Sequence, residues 1–201
     1  SSGVVLSVQV EEGSSVDAGD DLLVVEAKGL SSRLVEVKHR RLLNNTEIAS
    51  LNYIISTSPN PIKFDSLPPL PPISDPDLRA KLSAARNQSK QSISQLNQIS
   101  IRLSSRNTSL RLQRQITSDM RPLYENGGLA RNTYLNQLNV LQELEAEISA
   151  LDSERSRLIG VATSRLNLLN QQDLALRTQL SVLNEQIANR TLKAPVSGTI
   201  F

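Results

Sequence analysis

The chain has 201 residues and carries 22 Lys and Arg against 20 Asp and Glu, a net charge of +2; so even a balance excludes a broad basic field for nucleic acid. Two Phe, three Tyr and no Trp exclude a thick aromatic core and point to leucine seams between helices. With no Cys, disulfide scaffolds and cysteine-based metal or redox chemistry are excluded as well.

Residues 4–26 alternate β-branched and leucine runs with polar residues, and Gly13 and Gly19 stand where tight turns need positive φ. The stretch reads as three short strands. From about Ser31 to Ile55 a first helix is expected, its apolar positions Leu34, Val37, Ile48, Leu51 and Ile55 only loosely periodic. Residues 56–76 follow, with seven prolines between Pro59 and Pro76. Proline removes backbone donors and disfavours helix in the residue before it. An extended, polyproline-like connector is therefore expected, lying against the helices through Ile62, Phe64 and Leu67. The Pro68-Pro69-Leu70-Pro71-Pro72 run also contains the P-x-x-P spacing of an SH3 ligand, a reading given less weight than a linker.

Asp75-Pro76-Asp77 is a helix start: a capping side chain, proline in the first turn and an acid at the positive helix end. The second helix is expected over about 77–120, with Leu78, Leu82, Ala85, Ile93, Leu96, Ile99, Leu103 and Leu110 at three- and four-residue spacing. Polar residues such as Ser89 and Asn107 dilute that seam. Residues 121–129 form the expected tip, because Asn126-Gly127-Gly128 supplies a helix stop. A third helix over about 130–190 carries Leu138, Leu141, Leu144, Ile148, Leu151 and Leu158, then Leu166, Leu169, Leu176, Leu180, Leu183 and Ile187, with Asp173 in a polar seam slot. Two successive four-residue steps, 158 to 162 to 166, bracket Gly160 and read as a coiled-coil stutter with local unwinding. At 1.5 Å per residue this helix would span roughly 90 Å, the second roughly 70 Å and the first roughly 35 to 40 Å. Three helices are thus expected near the β-segments and two at the far end.

The chain closes on Leu192-Lys-Ala-Pro-Val-Ser-Gly-Thr-Ile-Phe201, again alternating around turn residues. Neither β-segment can bury a face alone, so the two must meet, and residues 28–191 must leave and return as a hairpin. The fold class is α+β: a small split β-domain, residues 1–27 and 192–201, and an antiparallel coiled-coil hairpin, residues 28–191.

The first segment resembles the opening half of a lipoyl or biotinyl domain, with its G-V-V-like strand, an E-G-D-x-V-x-A-G-like turn and an E-A-like corner at Glu26-Ala27. Ala194-Pro195-Val196-Ser197-Gly198-Thr199-Ile200 resembles the start of the second half. Such halves split by a long hairpin are similar to the HlyD-type membrane fusion proteins, or periplasmic adaptors. That resemblance implies a subunit of a tripartite export system, with a TolC-like outer-membrane channel and an inner-membrane transporter as partners. An ABC transporter of type I secretion is favoured over drug efflux because the helical region is long and interrupted. It also implies a hexameric homo-oligomer in the periplasm of a Gram-negative-type bacterium, anchored in the inner membrane by a segment outside this sequence. Because the chain begins and ends inside the split β-domain, it is expected to be a piece of a longer protein. No run of eighteen apolar residues and no leader pattern occurs in it.

The tip resembles the adaptor tip, in which an arginine, a leucine and a serine surround a glycine loop that meets the channel. Leu123 matches the leucine, Leu129 the apolar residue after the glycines, and Tyr134 a tyrosine common in the next turn. Two positions depart: Ala130 stands where serine is expected, and Arg121 is about two residues off register with Asp119 in its place. The resemblance implies partner contacts from Arg121, Leu123, Tyr124, Leu129, Arg131 and Asn132.

Catalytic and cofactor readings are weaker. His39, the single histidine, has no clustered ligands in sequence. Val196-Ser197-Gly198 lacks the first glycine of a nucleophile elbow. The acids Glu143, Glu145, Glu147, Asp152 and Glu154 read as a solvated helix face, or one paired with Arg155 and Arg157. Lys28 follows Glu26-Ala27 without the methionines of a biotinyl site. No enzyme activity and no cofactor or metal is expected; a coiled-coil scaffold or a lipoyl/biotinyl-like carrier unrelated to export is the alternative.

Overall fold

A computed structural model describes residues 5–25, 29–58 and 60–201. The elements in chain order are β1 (Val5–Val8), β2 (Ser15–Val16), β3 (Asp21–Val25), α1 (Leu30–Thr57), a 3-10 turn (Phe64–Ser66), α2 (Pro76–Glu125), α3 (Arg131–Ala188), β4 (Thr191–Lys193) and β5 (Gly198–Thr199). They divide into two units: the described residues up to Asn45 with Leu169–Phe201, and Thr46–Leu168.

In the first unit the two chain ends pair, as the split pattern requires. A three-stranded antiparallel sheet has the order β1-β3-β4, and β2 pairs with β5. Leu23 faces Leu192 and Val24 faces Thr191; Ser15 faces Thr199 and Val16 faces Gly198. Gly13 and Gly19 hold φ of 89° and 98°, and each donates its N–H across to the terminal segment, to Ile200 O at 2.9 Å and Ala194 O at 2.8 Å. Glycine is needed there because a side chain at positive φ is strained. Ser197 Oγ accepts from Ala18 N–H at 2.9 Å, bracing a turn. Among the described apolar strand and turn residues only Val16 and Ala194 are buried, while Leu6, Val8, Leu192 and Val196 stand exposed. The corner Glu26-Ala27 and Lys28 lie outside the described residues.

The helical part of this unit pairs α1 with α3 around a polar layer. Asn44 is buried and donates Nδ2 to Leu169 O at 2.8 Å. Buried Asp173 accepts from Arg41 Nε at 3.0 Å and Arg177 Nε at 2.6 Å. Burial pushes the Asp173 carboxyl up, but the two guanidinium hydrogen bonds and charges outweigh it and hold the carboxyl below its ordinary value.

The second unit contains α2, the turn that follows it and the adjoining stretches of α1 and α3. Its apolar core gathers Ile54 of α1, Ile62 and Leu67 of the connector, and Ile93 and Leu96 of α2, with Leu158 and Ile159 of α3 against them. Further along, Ile99 and Leu103 meet Leu151 and Ile148. The proline connector is held by side chains that replace its missing backbone partners. Asn97 receives Ile62 N–H at 2.9 Å and returns Nδ2 to Ile62 O at 2.8 Å. Tyr53 OH donates to Lys63 O at 3.0 Å, and Arg86 donates to the carbonyls of Leu67 and Pro68. Arg79 does the same for Ile73 O.

Three expectations change. Phe64 does not pack; it opens the 3-10 turn and is exposed, while Ile62 and Leu67 on either side are buried. Helix α2 does not end near residue 120 but runs through Pro122 to Glu125. A proline inside a helix gives up its own N–H bond and crowds the carbonyl one turn back, yet the helix continues past it, with the Pro122 carbonyl accepting from Asn126 N–H at 3.0 Å. No unwinding occurs at Gly160, where α3 is uninterrupted.

Candidate functional site at the hairpin tip

At 50 residues α2 is about 75 Å long, and its far end is where the chain reverses. Asp75 starts the helix as expected, accepting from Asp77 N–H at 2.9 Å and Leu78 N–H at 3.3 Å. The other end is closed by a Schellman pair: Gly127 N–H donates to Tyr124 O at 3.0 Å and Gly128 N–H to Leu123 O at 2.8 Å. Gly127 takes φ 74°, the left-handed conformation this motif requires. A Cβ on Gly128 would lie 3.4 Å from Leu123 O, so the loop backbone passes close under Leu123.

α3 begins at Arg131, with Ala130 O accepting from Thr133 N–H at 3.1 Å and Tyr134 N–H at 3.3 Å. Ala130 occupies the capping position and has no side-chain acceptor to offer. Tyr124 at the end of α2 stacks on Tyr134 in the first turns of α3, ring centroids 4.9 Å apart and planes 14° from parallel.

The six residues expected to touch a partner separate into distinct environments. Leu123 is 56% exposed although it is a large apolar side chain at the end of a helix. Leu129 is half-buried, and Arg131 and Asn132 are exposed in the first turn of α3. Arg121 is tied along its own helix to Glu125, Nε to Oε1 at 3.0 Å; that hydrogen bond raises its pKa above the ordinary value. Tyr124 is turned inward on Tyr134. Leu135, 40% exposed beside the tip, escapes sequence reasoning because its spacing matches the leucines of the seam.

Behind the tip the seam turns polar. Gln113 is buried and donates Nε2 to Gln137 O at 2.9 Å and Gln137 Oε1 at 2.8 Å. Thr117, also buried, donates to Gln113 O at 2.8 Å. Of the acids on α3, Glu145 pairs with Arg114 at 2.8 Å and Glu147 with Arg106 at 2.9 Å, both across to α2, while Asp152 and Arg155 approach to 3.8 Å. Among the described residues no group of three or more His, Cys, Asp and Glu could hold a metal ion, and no helix is long and apolar enough to cross a membrane.

Strands from the two ends of the chain pair, and long helices run between them in sequence; this arrangement is found in a solved structure. The soluble domain of LipC, a membrane fusion protein of a type I secretion system, shares it with a TM-score of 0.50 and 14% identity, over 98% of this chain and 87% of that one. The periplasmic adaptor protein EmrA aligns with a TM-score of 0.43 and 15% identity, over 98% of this chain and 62% of that one. No protein-family model and no curated protein matches the sequence.

Proposed function

We propose that this chain is the periplasmic part of a non-enzymatic adaptor that joins an inner-membrane transporter to a TolC-like outer-membrane channel. The hairpin tip is the channel contact. Its single strongest support is Leu123, which stays 56% exposed at the end of α2 next to a glycine loop closed by the Schellman bonds. An exposed large apolar residue on an ordered tip is the kind of anchor protein interfaces use. The polar seam behind it fits a hairpin that draws part of its stability from neighbouring copies. Ile101 and Leu112, 70% and 60% exposed, lie at eleven-residue steps from Leu123, three helical turns apart, and offer α2 an outward apolar line for such packing. The transporter is read as an ABC type of type I secretion, the assembly as a homo-hexamer and the compartment as the periplasm.

The test is co-purification of a detergent-solubilised TolC-like channel with the full-length protein. Leu123→Asp and Leu129→Asp should each abolish capture while far-UV circular dichroism stays that of the wild type. Capture retained by both variants would defeat the assignment of the tip.

A further inference from the structure

We infer that Tyr124 and Tyr134 are positioning residues: their stack closes the end of α2 onto the start of α3 and holds Leu123 outward, and neither ring is itself a partner contact. The functional half of this inference rests on the proposed adaptor role; the structural half does not.

The tip lacks two of the usual supports of a helical turn. Pro122 has no N–H to give to the carbonyl of Ser118, one turn back in α2. Ala130 gives the first turn of α3 no side-chain cap, so the N–H groups of that turn rely on solvent and on the Ala130 carbonyl. Among the contacts that close the tip are the pair of Schellman hydrogen bonds, the Asn126 N–H bond to Pro122 O and the stacked rings at 4.9 Å and 14°; of these the rings alone join α2 to α3. The rings are the only aromatic contact among the described residues, and they join the two helices. Offset stacked pairs of this spacing hold their elements together beyond the area they bury.

Geometry links the stack to Leu123. Tyr124 O and Leu123 O are the two carbonyls that receive the Gly127 and Gly128 N–H groups. Residue 124 is therefore at once a stacking ring and one end of the loop closure, and residue 123 is its neighbour in the same closure. Loosening the rings frees the turn that carries Leu123. A ring already occupied by another ring is a poor partner contact, whereas Leu123 beside it is exposed. Tyr124 thus moves from the set of expected contacts to the frame that presents them.

The experiment is amide hydrogen exchange on peptides covering residues 120–136 in the full-length protein, with Tyr134→Ala and Tyr134→Phe. Tyr134→Ala should speed exchange at Gly127 and Gly128 by about tenfold or more, while Tyr134→Phe, which keeps the ring, stays within about twofold of wild type. Exchange over residues 100–110 should not change in either. Near-ultraviolet circular dichroism follows the same pair, because the chain has three Tyr and no Trp. If Tyr134→Ala disturbs more than the tip, Tyr124→Leu, which keeps apolar bulk without a ring, takes its place and the same exchange difference is required of it. Unchanged exchange in the Ala or Leu variant, or equal loosening by Phe, overturns the inference.

Capture of the solubilised channel separates positioning from mere stability. Tyr134→Ala should lose capture at 25 °C and Tyr134→Phe should keep it; full capture by a loosened Ala variant overturns the positioning role. Failure of the wild type to capture any channel overturns the adaptor reading and with it the role toward Leu123, and exchange alone then decides the clamp.

Discussion

Within the hairpin unit, the section around Ile93 and the section around Gln113 are built differently. The first is dry: Ile54, Ile62, Leu67, Ile93 and Leu96 come from α1, the connector and α2, and Ile93 is fully buried. In the second only α2 and α3 contribute: buried Gln113 bonds Gln137 across the seam, buried Thr117 bonds back to Gln113 O within α2, and the Arg114–Glu145 pair lies alongside. Two helices cannot enclose a seam as three can, so water reaches its edges and side chains that hydrogen-bond at little desolvation cost replace leucine. The contrast predicts a stable stem and a more easily opened far section.

The largest effect that would break this contrast is Ile93→Ala, which should cost about 3 kcal/mol in denaturant titration, the range for emptying a sealed aliphatic site. A loss as small as that of a surface residue would mean the stem is not packed as described. Acid probes the buried charge of the other unit. The folded pKa of Asp173 is lowered, so its contribution is present above its ordinary value of 3.8 and is lost as pH falls through the folded value. Asp173→Asn should therefore be less stable than wild type near neutral pH and should flatten the acid limb of the urea midpoint. In the far section, Gln113→Ala should cost about 1 kcal/mol for the lost hydrogen bonds to Gln137. Ala130→Ser should add about 1 kcal/mol by capping α3, which sharpens the contrast by stiffening the tip alone. The smallest change is Arg114→Ala, about 0.5 kcal/mol or less because the pair is exposed, and it should vanish at high salt.

Much of the architecture is legible in residue patterns because those patterns state a physical need. Gly13 and Gly19 announce positive φ, Asp75-Pro76 announces a helix start, and the leucines of α2 announce their seam; each stands where its pattern places it. The resemblance of the chain ends to a split β-domain agrees with the pairing of β3 with β4 and β2 with β5. What escapes reading depends on contacts between distant residues. Asn97 is an ordinary polar residue until its amide is seen to replace a strand partner for Ile62. Gln113 and Thr117 occupy seam positions but have the composition of a surface. Hydrophobicity alone places Phe64 inward, and the 3-10 turn that points it out has no sequence signature. At the tip, Leu123 can be singled out from the loop pattern, whereas the pairing of Tyr124 with Tyr134 emerges only from the closure of the turn.

The proposed contact of the tip with an outer-membrane channel rests on Leu123. Benzoylphenylalanine incorporated at position 123, and separately at position 93 in the sealed stem, tests it by photo-crosslinking in cells. A crosslinked product with the channel is expected from position 123 and none from position 93. A channel product absent from position 123, with the protein folded and present at normal levels, would contradict it.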